Sequence, residues 1–213
     1  MVRTESSKRW LRRQQTDPFV KQARAEGYRC RAVYKLLEIE TRYKILQGAR
    51  IIVDLGASPG GWSQVLARKY AAHPQPPLLI AVDKLPMHAI PGITFLQGDF
   101  EEEPTLCLLK DLLREQFVDV VLSDMAPNAT GHAKTDHLKN MVLVESAYNF
   151  AMQNLANNGR FVAKVFQGGT EGHLLTTLKK DFEKVMHVKP KASRPESREV
   201  YVVATGFRKL RFS

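Results

Sequence analysis

Short apolar runs alternate with amphipathic stretches along most of the chain. Arg50-Ile-Ile-Val-Asp-Leu55, Leu78–Val82, Ile93–Leu96, Val118–Leu122 and Arg160–Phe166 are strand-sized and mostly apolar, with β-branched residues prominent in several. Runs of this kind predict buried strands. Between them, Trp62–Lys69, Pro104–Glu115, about Asp136–Leu155 and a stretch near 171–182 carry helical spacing, and Asn157-Asn158-Gly159 is placed to stop the long helix. Ahead of the first strand, Pro18 can open a helix with Asp17 as its cap. Ala32, Val33, Leu36, Leu37 and Ile39 then predict a second helix running to about Tyr43. Val185–Val188 and Val200–Ala204 close the pattern with no helical stretch between them, which predicts an antiparallel edge pair. The expected fold is α/β: a doubly wound, seven-stranded, mostly parallel sheet with helices on both faces and an antiparallel C-terminal edge pair.

A chain of 213 residues fits one domain, with residues 1–44 as a basic helical extension. Charge adds a direction to this picture. The net charge is +10, but residues 1–44 carry +7 and residues 179–213 carry +6, while 45–178 carry −3. Two basic ends suit a polyanion, whose neutralised phosphates release counterions. Solvated, self-repelling termini are the plainer explanation of the same numbers. Trp10, Phe19 and Tyr28 are interleaved with the N-terminal cations, which adds stacking faces beside phosphate-reaching groups. Cys30 and Cys107 form no CxxC pair, and this favours a reducing compartment. No apolar run approaches the ~18–20 residues of a membrane span, and the first ten residues lack the apolar core of a secretory signal. No membrane partner is expected, and the cytoplasm is the expected location.

In open α/β sheets ligands bind beyond the carboxyl ends of the strands. Four of those ends here carry an acidic residue: Asp54, Asp83, Asp99 and Asp124. Such a row suits a ligand rich in hydroxyl and amino groups and poor in phosphate. The segment Asp54-Leu-Gly-Ala-Ser-Pro-Gly-Gly61 departs from the GxGxxG of dinucleotide binders, since Gly56 and Gly60 are four apart. Its aspartate would face a cation better than a pyrophosphate. S-adenosylmethionine, with a sulfonium, an amino group, a ribose diol and an adenine, fits; a strand–turn–helix with glycine kept only for packing is the alternative. Lys164 lies inside the apolar run Phe161–Phe166. A buried ammonium needs a partner, whereas an edge-strand lysine would reach solvent. Lys35 and Glu199 taken alone are ordinary surface residues. The six histidines show no ligand spacing to the acidic residues, and no metal is expected.

Several segments, in order and over nearly the whole chain, resemble the FtsJ/RrmJ family of S-adenosylmethionine-dependent RNA 2′-O-ribose methyltransferases. They are Gly27–Leu36, Val53–Gln64, Leu122–Gly131, Gly159–Lys164 and Ala192–Tyr201. Ser7-Lys-Arg-Trp10 and Asp17–Lys21 favour the branch that acts on large-subunit ribosomal RNA. Cys30 departs from the serine usual in the family. The resemblance implies a Rossmann-like methyltransferase fold and a catalytic tetrad of Lys35, Asp124, Lys164 and Glu199. It further implies cofactor contacts at Gly60, Trp62, Asp83 and Asp99, with Asp83 on the ribose diol and Asp99 on the adenine amino group. Gly56, Asp54 and Asp124 join that set from the loop chemistry above. Lys164 would act as base or hydroxyl-positioning group, oriented by Asp124, while Lys35 and Glu199 hold the target ribose.

The expected substrate is a uridine of 23S ribosomal RNA, met on an assembled or nearly assembled large subunit by a monomeric enzyme. Alternatives are tRNA, an mRNA cap, or a ribosome-assembly factor that binds RNA without turnover. A nicotinamide-dependent oxidoreductase fits less well, because GxGxxG is missing and Pro59 interrupts the loop.

Overall fold

The computed structural model describes residues 16–128, 130–167 and 171–208; the opening around Trp10 and its neighbouring cations lies outside them. Asp17 accepts hydrogen bonds from the Phe19 and Val20 N–H groups and so caps α1 (Pro18–Ala25). In α2 (Val33–Tyr43) the spacing of Val33, Leu36 and Ile39 puts them on one fully buried face. Burying each such side chain contributes about 1.5–3 kcal/mol, which fixes the helix that carries Lys35.

The alternating pattern then continues through β1 (Ile51–Leu55), α3 (Gly61–Tyr70), β2 (Leu78–Asp83), β3 (Thr94–Gln97), α4 (Glu103–Leu113) and β4 (Val118–Ser123). It ends with α5 (Ala133–Asn154), β5 (Leu155–Phe166), α6 (Glu171–Asp181), β6 (Phe182–Val188) and β7 (Glu199–Phe207). The sheet order is β3-β2-β1-β4-β5-β7-β6. Strands β1 to β5 pair in parallel, and β7 is antiparallel to both β5 and β6. The closing pair is thus antiparallel as expected, with a detail the pattern did not carry. β7 is inserted between β5 and β6, and β6 takes the edge.

This reversal positions the site. Because β7 runs against β5, its first residue, Glu199, lies opposite Phe166 at the carboxyl end of β5, and Tyr201 lies opposite Lys164. Successive side chains on a strand point to opposite faces. Phe161, Ala163 and Val165 pack with Val144 and Leu178 against α5 and α6. Val162 and Val203 pack on the other face with Leu36, Ile39 and Leu66 from α2 and α3. Lys164 shares the parity of Val162, so it emerges on the face that α2 covers.

Helix α5 stops at Asn154, before the Asn157-Asn158-Gly159 turn read as its terminator. That turn makes an irregularity early in β5, where the register with β4 shifts and Asn158 has φ +62°. Leu155 is already paired with Val118, so strand pairing ends the helix before the turn does.

Candidate active site

A cleft of about 540 Å³ opens beyond the carboxyl ends of β1 to β5, with Gly56, Asp83, Asp99, Asp124 and Lys164 in its walls. Gly56 has φ +74°, and a Cβ there would come within 2.9 Å of the Met125 backbone. No side chain fits, so glycine lets the loop after β1 close against the segment after β4. Gly60, at φ +105°, stands before α3 with no side-chain cap, leaving first-turn N–H groups of the helix facing outward from its start.

The carboxylates at these strand ends differ in their surroundings. Asp83 accepts from the Ser58 N–H (2.9 Å) and the Leu85 N–H (2.8 Å), which fixes it between two loops. Asp99 accepts from the Glu101 N–H (3.1 Å) on Oδ1 and has the Lys84 ammonium 3.8 Å from Oδ2. Asp54 lies under the glycine loop, only 1% exposed. Ser63 Oγ donates to its Oδ2 (2.8 Å), and its Oδ1 has no hydrogen-bond partner among the described residues. Burial pushes this carboxyl up to about 7; Ser63 opposes the rise, and Asp124 and Asp83 add to it. A buried, unpartnered carboxylate oxygen calls for a cation or donor. Together with Asp83 and Asp99, this oxygen forms a set of acceptors that fits S-adenosylmethionine.

On the side formed by β4, β5 and β7, charges are matched within the protein. Lys164 Nζ donates to the Asp124 backbone oxygen (2.6 Å) and lies 3.1 Å from Asp124 Oδ1. Tyr201, wholly buried, donates its hydroxyl to the same Oδ1 at 2.6 Å. Lys35 Nζ is 2.5 Å from Glu199 Oε1, which also accepts from Ser193 Oγ (2.9 Å). The Tyr201 ring connects the two pairs, with Lys35 Nζ 5.7 Å from its centroid. Burial alone would raise Asp124, but Lys164, Lys35 and the Tyr201 hydroxyl outweigh it and hold the carboxyl below its ordinary value. The Tyr201 phenol is pushed well up by burial and by Asp124 and Glu199, so it remains a donor. A buried lysine amine, a fixed carboxylate and an open cleft together can take up and release a proton at a bound hydroxyl.

Residues 28–207 match the FtsJ-like methyltransferase family. The chain belongs to that family. Over 97% of its length it is 52% identical to ribosomal RNA large subunit methyltransferase E of Azorhizobium caulinodans, 86% of which is covered. It is 50% identical to the protein of that name from Novosphingobium aromaticivorans, covering 97% of this chain and 90% of the relative. Among solved structures, a ribosomal RNA methyltransferase of Plasmodium falciparum superposes with a TM-score of 0.76 at 32% identity, over 84% of this chain and 98% of that one.

In this FtsJ-like methyltransferase, Lys35, Asp124, Lys164 and Glu199 come from α2, the end of β4, β5 and β7 and meet around one buried tyrosine. Gly56, Asp83, Asp99 and Asp124 line the cleft, while Asp54 lies beneath it. The Trp62 side chain is placed elsewhere. It is buried beside Tyr201, and its Nε1–H donates to the Ala32 carbonyl at 2.9 Å, so only the Trp62 backbone is left to offer a cofactor. Gly60 likewise falls outside the cleft walls and makes room for the Arg29 guanidinium.

Two residues of the site were missed in the sequence. Tyr201 stands two positions after Glu199, so strand alternation alone puts both on one face. Asn140 of α5 was hidden in a helix. Its Oδ1 accepts the Phe166 N–H (2.8 Å) and its amide reaches the Lys164 carbonyl (3.4 Å), standing in for the neighbouring strand where β4 has ended.

Proposed function

We propose that this protein methylates a ribose 2′-hydroxyl of large-subunit ribosomal RNA with S-adenosylmethionine as donor. The target in this reading is a uridine on the assembled subunit, and the enzyme acts as a monomer in the cytoplasm. The observation that carries the reading is the buried Lys164 amine bound to two oxygens of Asp124. The names borne by its half-identical relatives support the substrate class. The basic N-terminal segment suits an RNA surface.

S-adenosylmethionine supplies a methyl group already made electrophilic by its sulfonium. The protein must hold the hydroxyl in line and receive its proton. A neutral lysine has two N–H groups and an ammonium has three. Both forms can keep the two bonds to Asp124, so Lys164 gains or loses a proton without leaving its place. The remaining position, a lone pair or an N–H, serves the cleft. Asp124 orients the amine and stabilises the ammonium once it forms. Tyr201 keeps the Asp124 carboxylate from turning. Lys35, neutralised by Glu199, shapes the wall against which the target ribose rests. Asp83 and Asp99 accept from the hydroxyl and amino groups of the cofactor, and Asp54 attracts its cationic end.

The test is transfer of a labelled methyl group to large subunits from a strain lacking this enzyme, compared with deproteinised RNA and bulk tRNA. Alkali-resistant label at one uridine of the subunits is the expected result. Label on tRNA alone overturns the target and keeps the chemistry. Cofactor binding without label on any RNA overturns the enzymatic reading in favour of an RNA-binding assembly factor.

A further inference from the structure

Arg29 lies outside the tetrad and outside the cleft walls, yet its guanidinium touches both loops that form one side of the cleft. Nη1 donates to the carbonyl of Pro59 (3.1 Å), in the loop after β1, and to that of His88 (2.8 Å), in the loop after β2. Nη2 donates to the Ala89 carbonyl at 3.1 Å. The first loop supplies Gly56 and Ser58 to the cleft, and the second supplies Lys84 and Leu85. Ser58 and Asp83 join the loops at the cleft itself, through the Ser58 N–H and through Ser58 Oγ on the Pro86 carbonyl. Arg29 joins them a second time, farther along each loop.

Gly60 is shaped for this contact, since a Cβ there would stand 2.7 Å from Arg29 Nη1. Arg29 is itself anchored. Its N–H donates to Gln64 Oε1 of α3 (2.7 Å), and the Gln64 amide donates back to the Gly27 carbonyl (3.2 Å). Arg68, stacked 4.0 Å from the centroid of Tyr28, donates to the carbonyls of Glu26 and Gly27. The clamp therefore has a fixed base on α3 and a charged, planar fork on two loops. Hydrogen bonds from a charged donor are stronger than neutral ones, and a lysine cannot reproduce three of them at this spread.

We propose that Arg29 is a positioning residue for the cofactor: it sets the separation of the two loops and thereby the affinity of the cleft. The inference deepens the reading above and rests on S-adenosylmethionine as the ligand. An element that preorganises a binding site acts on affinity, whereas one that orients the reacting hydroxyl acts on turnover.

The experiment measures S-adenosylhomocysteine binding by calorimetry, and KM and kcat for methyl transfer, in the full-length wild type, Arg29→Lys and Arg29→Ala. In Arg29→Ala, Kd and the KM for S-adenosylmethionine rise roughly tenfold, while kcat at saturating cofactor stays within about twofold. Arg29→Lys, which retains the charge, recovers less than half of the lost affinity on a logarithmic scale and supplies a folded variant if the alanine variant is unstable. Unchanged affinity in both variants overturns the proposal, as does a fall in kcat with KM unmoved. A wild type that binds no S-adenosylhomocysteine overturns the cofactor assignment itself, and the role of Arg29 with it.

Discussion

The cleft has two sides built on opposite principles. On the side of β1, β2 and β3, carboxylates are held mainly by neutral N–H and O–H donors, Lys84 stands 3.8 Å from Asp99, and one buried oxygen of Asp54 has no hydrogen-bond partner among the described residues. On the side of β4, β5 and β7, each charge has its counter-charge: Lys164 with Asp124, and Lys35 with Glu199. The first side waits for donors from a ligand. The second is complete before anything binds, so its geometry needs no rearrangement at the moment of reaction. On the function proposed above, the unmatched polar atoms serve recognition and the fully matched ones serve chemistry.

The largest effect is expected where the matched side is broken. Lys164→Met should lower kcat by at least about 10²-fold, the usual contribution of a positioned acid–base group, while S-adenosylhomocysteine affinity changes little. Single-turnover methyl transfer and calorimetry check the two halves of that statement, and near-normal turnover would refute the assignment of Lys164. Tyr201→Phe removes one donor from the buried Asp124 carboxylate. A hydrogen bond to a charged group contributes about 1.5–3 kcal/mol, so kcat should fall roughly ten- to hundredfold in the same assay, with the KM for cofactor nearly unchanged.

The unmatched side should instead show itself through pH. Asp54 has a folded value of about 7 against an ordinary 3.8. Between these limits the folded protein holds a proton that the unfolded chain has released. Its stability is fully present below the lower value and declines as pH rises towards the upper one, by roughly 1.4 kcal/mol per pH unit at most. A ligand bearing a cation favours the ionised carboxylate, so affinity should rise over the same range. Asp54→Asn should flatten both slopes, as followed by thermal melts with and without S-adenosylhomocysteine. Ser63→Ala is the smallest change. Loss of the bond to Asp54 should cost about 1 kcal/mol and move the upper end of the pH window above 7, read by the same melts.

This contrast was partly legible in the sequence. The aspartates could be placed at strand ends because each follows an apolar run, and Lys164 stood out because it interrupts one. The pairing partners of Lys35 and Glu199 were not readable from local pattern, and only resemblance joined them to Lys164. Their meeting depends on β7 lying between β5 and β6. β7 pairs with both neighbours, and the pattern within each apolar run does not tell that β7, rather than β6, lies against β5. Trp62, a cofactor position implied only by the resemblance, could not be read for the placement of its side chain: the indole packs on Tyr201, and the Ala32 carbonyl satisfies its N–H, which leaves the Trp62 backbone for any ligand contact. Asn140 gave no signal because its role is to replace a strand that ends, and where β4 ends is a property of the assembled sheet.

The reversed direction of β7 bears on when a newly made molecule becomes competent. The strands that form the recognition side are all translated before β7, whereas Glu199 and Tyr201 belong to that last described strand. Lys35, from the other end of the described chain, stays without its counter-ion until β7 docks. A molecule halted during synthesis after β6, or clipped just beyond it, keeps Asp54, Asp83 and Asp99 and lacks Glu199 and Tyr201. On the function proposed above, turnover waits for β7 to take its place in the sheet.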